Sequence, residues 1–279
     1  ILWQVGHHLS APAFNFAPRF NNQFIKSEKM RTDIDLEFMQ YCSNTELREL
    51  CDMLTHDEEG NIRFSEKLTE KDSYIENYPD NCKSLWKDIA MELQLFGGNT
   101  FANIFRHGHG PAYESIVYDV CKEMEVENID EHDTAEDMEK ALLDKVTEKM
   151  LDELTYEQRK QVMKDLNIKR RTYNKQAVMA ALLLTRRINL RLYNYVMSYI
   201  LRMVTQLLIG RGVLTAGFGL LSRGLGIMMG PVGWIVLSGW TAWDIAGPAY
   251  RVTVPAVIQV AFLRMKYNAK CLTNNYECV

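Results

Sequence analysis

The sequence predicts an all-α protein in which an acidic N-terminal helical bundle precedes a basic, apolar, glycine-rich helical region. Apolar residues recur every three to four positions along most of the chain, whereas the alternation typical of strands is nearly absent. Charge divides the chain, because residues 1–168 hold 34 acidic and 18 basic side chains, while residues 169–279 hold two acidic and 14 basic ones. Either the two parts attract each other, or the basic part meets an anionic membrane or another acidic surface.

Helix-start and helix-stop signals place the individual elements. Ser43 followed by Glu46 is a capping box that begins a helix, and the glycine-containing turn at 57–61 ends it. The later patterns predict a helix from Asp80 or Asn81 that ends at Gly97-Gly98, one from Pro111 to Met124, one from Thr134 to Leu154, a short one restarted by Thr155 with Gln158, and a long apolar one from Gln176 to Ile209.

Four segments follow from these patterns. We expect residues 1–29 to be a disordered or non-native leader, because the chain starts with Ile1 and helical patterning begins just after Met30. Residues 30–61 would form a short N-terminal helical domain, residues 62–168 an acidic helical domain, and residues 169–279 the basic glycine-rich region. The six cysteines lack metal-site spacing and lie mostly among apolar positions, which indicates core residues in a reducing compartment.

Glycines with a seven-residue spacing run through the basic region in two series and end at one further glycine: Gly210, Gly217 and Gly224; Gly212, Gly219 and Gly226; and Gly230. Each series forms a stripe on a helix, which lets backbones approach closely as small residues do between membrane helices. Gly230-Pro231 can be the tip of a hairpin over 212–249, either buried in a soluble core, inserted in a membrane or lying on a surface. Asp244 is the acid near this hairpin, so we expect it to pair with Arg223 or Arg251.

The string Arg106-His107-Gly108-His109-Gly110 is the most site-like in the chain. Its glycines allow a ligand to approach the backbone, and the amides at the start of the following helix can hold an anion. Arg106 can clamp such an anion with two hydrogen bonds, and His109 can titrate near neutral pH. The alternative is a plain glycine turn, since no phosphate-loop spacing is present.

The sequence contains no recognisable catalytic constellation, and we expect neither a cofactor nor a metal. The G-x-S-x-G and H-E-x-x-H motifs do not occur. Asp33 and Asp35 resemble an acid pair, but capping at a helix start explains them. Arg186, Arg187 and Arg191 lie on an apolar helix without interleaved aromatic residues, which favours a membrane-interface or intramolecular role over nucleic-acid binding.

Three segments carry a resemblance to a known family: DLEFMQYCS, ELRELCDMLT and HDEEG within residues 31–60, FGGNTFANIFRHGHGPAYESIVYDVCKEM from Phe96 to Met124, and GPVGWIVLSGWTAWDIAGPAYRVTVPAVIQVAFLR from Gly230 to Arg264. In this order they resemble the YaaW-like family of bacterial proteins. The residues that match its middle motif are Arg106, Gly108, Gly110, Tyr113 and Asp119, which adds Tyr113 to the candidate anion- or partner-binding residues. The resemblance implies no catalytic residues. It also implies a central region grouped with the ubiquinol–cytochrome c reductase assembly chaperones, which are helical, non-enzymatic and act beside a membrane.

Together these features predict a non-enzymatic chaperone or assembly factor that binds a protein partner near a membrane. One alternative is a membrane-perturbing, pore-forming-like effector that uses the 212–249 hairpin. A second is an anion- or nucleotide-binding protein centred on Arg106–Gly110. A protein partner is expected, an anionic membrane and a homo-oligomer are further candidates, and no nucleic acid is expected. The expected location is the bacterial cytoplasm, with peripheral or inserted association with the inner membrane as the alternative.

Overall fold

The computed structural model of the protein describes residues 33–57, 60–63, 66–100, 110–165, 168–195, 197–198 and 250–274. Within these ranges the chain forms helices and no β-strand, with one isolated antiparallel bridge between His56 and Ile62, so the predicted all-α class is confirmed. The 3₁₀ helices are Ile34–Tyr41, Leu68–Glu70 and Cys82–Leu85, and the α-helices are α1 (Asn44–Thr55), α2 (Asp72–Asn77), α3 (Trp86–Thr100), α4 (Tyr113–Glu123), α5 (Ala135–Glu153), α6 (Tyr156–Asp165), α7 (Lys175–Ile188) and α8 (Tyr250–Asn274).

Helix α8 forms the centre of the bundle. Every residue from Val252 to Leu263 is buried, as the predominantly apolar composition on all sides of this helix requires. The helix contacts the 3₁₀ helix Ile34–Tyr41 and helices α1, α3, α4 and α5. One hydrophobic core therefore contains buried side chains from all three segments predicted after residue 29. Neither α8 nor any other described helix is long and apolar enough to cross a membrane.

Side-chain caps begin the helices where the sequence predicts them. The Ser43 hydroxyl accepts a hydrogen bond from the Glu46 backbone N–H, and the Ser43 N–H donates to the Glu46 carboxylate at 2.8 Å, which completes the predicted capping box. Thr134 caps α5 with its side chain. The Thr155 N–H donates to the Gln158 side chain at 2.7 Å, so the predicted restart of the helical pattern at Thr155 is confirmed.

Helix α3 continues through Gly97 and Gly98, so the prediction that these glycines end it is wrong. The reason is a close helix crossing, because a β-carbon at Gly97 would lie 2.5 Å from the Ile116 side chain of α4. Glycine lets α4 pack directly on the α3 backbone, and this packing offsets the weak helix propensity of the two glycines. Helix α4 begins at Tyr113, two residues after Pro111, rather than at the proline.

The long apolar helix predicted over 176–209 is divided at Asn189. Helix α7 ends there, where the Asn189 N–H donates to the Thr185 carbonyl at 2.8 Å. The Asn189 side chain then accepts from the Leu192 N–H at 3.0 Å and starts a second helical stretch over residues 190–195. One asparagine therefore caps two helices. The apolar pattern hides this break because it continues on both sides of it.

The described cysteines fall into two groups. Cys42, Cys51, Cys82 and Cys121 are free thiols in the core, as their apolar surroundings predict. Burial raises the pKa of Cys42 to about 12 and that of Cys82 to about 11. Thiols of this kind are poor nucleophiles at neutral pH, so these four residues serve packing. Cys271 departs from the prediction, because it is disulfide-bonded.

The two oppositely charged parts of the chain attract each other across the bundle. Lys175 at the start of α7 lies 2.8 Å from Glu148 and 2.7 Å from Asp152, both on α5. Lys266 of α8 binds the Glu46 carboxylate of α1. Burial alone would raise the pKa of Glu46, but the hydrogen bonds and charge of its partners outweigh this effect and lower the pKa to about 2. Several cations of the basic region are thus neutralised within the fold.

Candidate functional site

Five elements meet at a buried polar cluster, termed here the polar junction: Asp33, Gln94, Tyr113, Glu139 and Arg264. These residues come, in this order, from the cap of the first 3₁₀ helix and from α3, α4, α5 and α8. At its centre Arg264 Nε donates to Glu139 Oε2 at 2.6 Å, and only 2% of the Glu139 side chain is exposed. A buried ion pair offsets its loss of hydration only with good geometry and additional hydrogen bonds.

Further contacts supply those hydrogen bonds. The hydroxyl of Tyr113, a fully buried residue, donates to Glu139 Oε1 at 2.7 Å. The Arg264 guanidinium also donates to the Asp35 carbonyl, and it lies over the Phe38 ring with 4.5 Å to the ring centroid. Burial disfavours the charged form of Arg264, but the neighbouring Glu139 carboxylate raises the pKa of Arg264 above its ordinary value. Arg264 therefore stays charged and fixed in the core.

Asp33 supplies an anion to the start of α4. Its Oδ2 accepts the Tyr113 backbone N–H at 2.7 Å and the Gln94 side-chain amide at 3.0 Å, while its Oδ1 accepts from the Asp35 N–H as the predicted cap. A carboxylate is favoured here because a helix N-terminus carries free N–H groups and the positive end of the helix dipole. The sequence predicts an external anion at the start of this helix. At Tyr113 the amide bonds a residue of the same chain instead.

A small cleft opens beside the polar junction, between α5, α7 and α8. Its volume is about 140 Å³, and Arg264, Lys140 and Arg186 are among the residues that line it. These cations already have partners, since Lys140 lies 2.9 Å from Glu136 and Arg186 lies 3.7 Å from Asp144. Pockets for small molecules typically have volumes of about 300–1,000 Å³. The cleft is therefore small, and its charged groups are engaged within the protein.

Two buried flanks bracket residues 199–249. Before this segment, Tyr193 and Met197 are buried, and the Thr147 hydroxyl of α5 lies 3.7 Å from the Met197 sulfur. After it, burial begins at Val252 in the first turn of α8, and helix α8 contacts α4 and α5. Helix α5 therefore contacts both flanks. The bracketed segment lies outside the described residues, and its sequence has four charged residues among 51.

A second group of buried carboxylates holds residues 66–71 against α3. Glu92, which is 1% exposed, accepts the Lys67 N–H at 3.1 Å, and its other oxygen is buried without a hydrogen bond from the described residues. Glu66 is also buried and accepts from the Thr69 N–H at 2.9 Å. Burial and then the charge of Glu66 raise the pKa of Glu92 to about 7, although the Lys67 N–H opposes the change. Glu92 therefore titrates near neutral pH.

Three of the candidate site residues lie in the described part of the chain. Tyr113 belongs to the polar junction and is buried, so it faces the core rather than a partner. At Gly110 a β-carbon would lie 2.4 Å from the Gln94 carbonyl oxygen, so this glycine permits close packing on α3. Arg251 is exposed at the start of α8. The leader 1–29, the 212–249 hairpin and the remaining candidates lie outside the described residues: Arg106, Gly108, His109, Gly210, Gly212, Gly217, Gly219, Gly224, Gly226, Gly230, Arg223 and Asp244.

The pairing of Glu139 with Arg264 is not predicted by the sequence patterns. Arg264 carries one usable signal, because it directly follows the uncharged run VTVPAVIQVAFL, and a charge that continues a buried helix needs a partner. Glu139 carries none, because it lies in an acid-rich helix start where most carboxylates are solvated. Asp33 was assigned correctly as a cap, but its contact with α4 depends on tertiary packing.

Comparison with known proteins identifies the family. A family profile described as "Domain of unknown function (DUF3944)" matches residues 30–64. A UPF0174 protein of Helicobacter pylori strain J99 is 38% identical over 236 residues, which cover 84% of this chain and 92% of the relative. The chain belongs to the UPF0174 family.

The UPF0174 relatives extend well beyond the region that the profile matches. The UPF0174 protein YaaW of Escherichia coli strain K12 is 34% identical over 239 residues, which cover 85% of this chain and 96% of that protein. The resemblance to YaaW-like proteins is thereby confirmed. No solved structure matches this chain. Within the UPF0174 chain, the matched profile contains the first 3₁₀ helix and α1, and thus Asp33 of the polar junction.

Proposed function

We propose that this UPF0174 chain is a non-enzymatic binding protein of the assembly-factor kind, which holds a protein partner through residues 199–249. The observation that carries this proposal is the anchoring of both flanks of the segment on α5, through Tyr193 and Met197 before it and the buried part of α8 after it. A segment fixed at both ends can engage a partner while the bundle that carries it keeps its packing.

The composition of residues 199–249 supports a binding role. Its charged residues are Arg202, Arg211, Arg223 and Asp244, so long stretches between them are uncharged. Apolar side chains are favoured where another surface removes them from water. The core of the bundle is continuous among the described residues, and a protein partner is the proposed cover for residues 199–249.

The reactive groups of the described bundle also favour binding over catalysis. Tyr113 and Glu139 are buried and bonded to each other, and Arg264 is bonded to Glu139. The four free thiols are buried in the core. A catalytic acid, base or nucleophile has to reach its substrate within hydrogen-bond distance, and Tyr113 and the four thiols are enclosed in the core. The proposed activity therefore needs no chemistry from the polar junction.

Site-specific photo-crosslinking in cells tests the proposal. A photoreactive amino acid replaces Phe218 within residues 199–249, termed here the low-charge segment. As the matched control, it replaces the exposed Glu131 of the acidic bundle. We expect one recurring protein adduct from position 218 that is absent from position 131. Removal of the chain should then lower the assembled fraction of that protein, and the wild-type chain should restore it. Equal adducts from both positions, or an adduct protein whose assembly ignores the chain, would contradict the proposal.

A further inference from the structure

We infer that the outward side of α7 binds an anionic lipid bilayer. This side, termed the α7 face, consists of Ala180, Leu183, Leu184, Arg187 and Ile188. The inference rests on the proposed function, because it places the bundle beside a membrane while residues 199–249 hold the protein partner. Three observations carry it, namely the apolar side chains of the face, the charge around it, and the position of two basic groups at its ends.

Large apolar side chains are exposed on the α7 face. Leu183 and Leu184 are 39% and 43% exposed, and Ile188 is 73% exposed. The opposite side of α7 packs into the core through Val178, Ala181 and Leu182. The outward side of a helix in a soluble bundle is normally polar. An apolar outward side, bordered by charges, is therefore the mark of a binding surface.

The charged side chain on the α7 face, Arg187, is basic, and so are the charged residues near it in the sequence. From residue 166 to residue 243 the sequence contains ten basic residues and no acidic one. Lys175 and Arg186 face α5 and pair with its carboxylates. Arg187 and Arg191 are exposed and form no ion pair with the described acids. Exposed cations of this kind favour binding to an anionic surface.

A second basic group lies at the beginning of α7. Lys169, Arg170 and Arg171 are exposed and, together with Ala177, line a shallow cleft of about 570 Å³. Ala177 precedes Leu184 by seven residues, which is about two helical turns, so the cleft lies along the same side of α7 as the apolar face. Cations therefore lie at both ends of α7, a helix about 21 Å long from 14 residues at about 1.5 Å each.

This combination favours a bilayer over the other anionic partners. In an interfacial helix, Leu and Ile enter the boundary of the acyl chains while Lys and Arg meet the headgroups. Tyr195, which is 50% exposed shortly after α7, is an amphipathic residue of the kind enriched at the membrane interface. An acidic protein would complement the cations but would not require exposed leucine and isoleucine side chains. The low-charge segment also begins directly after this surface, at residue 199.

Vesicle binding of the full chain tests the inference. Vesicles of equal parts phosphatidylglycerol and phosphatidylcholine are compared with vesicles of phosphatidylcholine alone, and the Arg187→Gln/Arg191→Gln variant is compared with wild type. Each cation near an anionic surface contributes about 1 kcal/mol, so the double variant should bind the anionic vesicles about 30-fold more weakly. Lys83→Gln/Lys87→Gln removes the same charge from exposed positions of the acidic part, and we expect it to bind like wild type.

A second variant separates the apolar contribution from charge. Leu184→Ser/Ile188→Ser keeps every cation, and it should also lose most vesicle binding while its circular dichroism stays unchanged. Wild type that binds both vesicle types equally, or binding that both variants leave intact, would overturn the inference. If vesicle binding ignores Arg187 and Arg191 while the adduct from Phe218 persists, the bilayer inference fails and the proposed function stands. If the adduct from Phe218 is lost while vesicle binding is normal, the proposed function fails and the bilayer inference stands.

Discussion

Arg264 and Glu139 form a buried ion pair between α8 and α5, with 2.6 Å between Nε and Oε2 and 125 residues between the two positions in the sequence. The pair ties the helix that follows residues 199–249 to the acidic bundle that precedes them. Because Tyr113 and Asp33 join the same cluster, the first and last described helices and the middle of the bundle are held together. The helix that follows the low-charge segment is thus tied to the bundle.

Removal of Arg264 should destabilise the fold strongly. In Arg264→Leu the Glu139 carboxylate would stay buried without its countercharge. Loss of one partner of a buried pair typically lowers the free energy of unfolding by about 3–5 kcal/mol. Arg251→Leu makes the same change at an exposed position of the same helix and should cost less than about 1 kcal/mol. Urea unfolding followed by circular dichroism measures both values. Equal losses for the two variants would show that the pair does not stabilise the bundle.

Gly110 should be intolerant of a side chain. A β-carbon there would meet the backbone of Gln94, which cannot move without shifting α3, so Gly110→Ala should lower the free energy of unfolding by about 1–3 kcal/mol. Gly98→Ala is the matched control, because its nearest contact is Pro111 at 3.3 Å and alanine favours the helix by about 0.5–1 kcal/mol. Thermal unfolding compares the two. If Gly110→Ala left the free energy of unfolding unchanged, Gly110 would not be packed against α3.

Glu92 should make the protein less stable as pH rises. Its pKa is raised from 4.5 to about 7 in the fold, so the folded state binds more protons than the unfolded state between these values. Stability from this group is therefore present below pH 4.5 and falls as pH rises toward 7, by about 3 kcal/mol at about 1.36 kcal/mol per pKa unit. Glu92→Gln cannot ionise, so it should gain stability relative to wild type between a pH of about 5 and a pH of about 8. An unchanged difference between the two proteins across this range would contradict the assignment.

Glu46 should have the opposite effect to Glu92, because the protein should lose stability as pH falls. Its folded pKa is lowered from 4.5 to about 2, so the stability that it contributes is present above 4.5 and is lost as pH falls toward 2. Lys266→Met removes the partner on α8 and should reduce this acid-dependent loss. Unfolding curves measured between these pH values test this expected reduction. Lys83→Met is the control, because Lys83 is exposed on the acidic part. Identical acid profiles for Lys266→Met and wild type would argue against the contact.

The locally coded features of the fold were predictable, and the features that depend on distant contacts were not. The caps at Ser43 and Thr155 involve side chains three residues apart, so the sequence displays them directly. The continuation of α3 through Gly97 depends on Ile116 of another helix, and no local pattern reports that contact. The polar junction is the extreme case, because only the folded bundle selects Glu139 from the neighbouring acids as the partner of Arg264.

For the candidate site, too, some features could be predicted from the sequence and others could not. Of the two alternatives that the charge asymmetry leaves open, attraction between the two parts is seen where Lys175 meets Glu148 and Asp152. The break at Asn189, which separates α7 from residues 190–195, was hidden by a continuous apolar pattern. The anion-binding role of Arg106 and His109 stays a prediction, because both lie outside the described residues.

Cell fractionation tests most directly the claim that an acidic bundle carries a basic, low-charge part to a membrane. Cells that express the full chain are lysed at low salt, and the membranes are collected and then washed with carbonate. We predict that wild type is recovered with the membranes before the wash and that Arg187→Gln/Arg191→Gln moves toward the supernatant. Release of wild type by carbonate would indicate peripheral binding through the α7 face, and retention would indicate insertion of residues 199–249. Recovery of wild type entirely in the low-salt supernatant would contradict this claim.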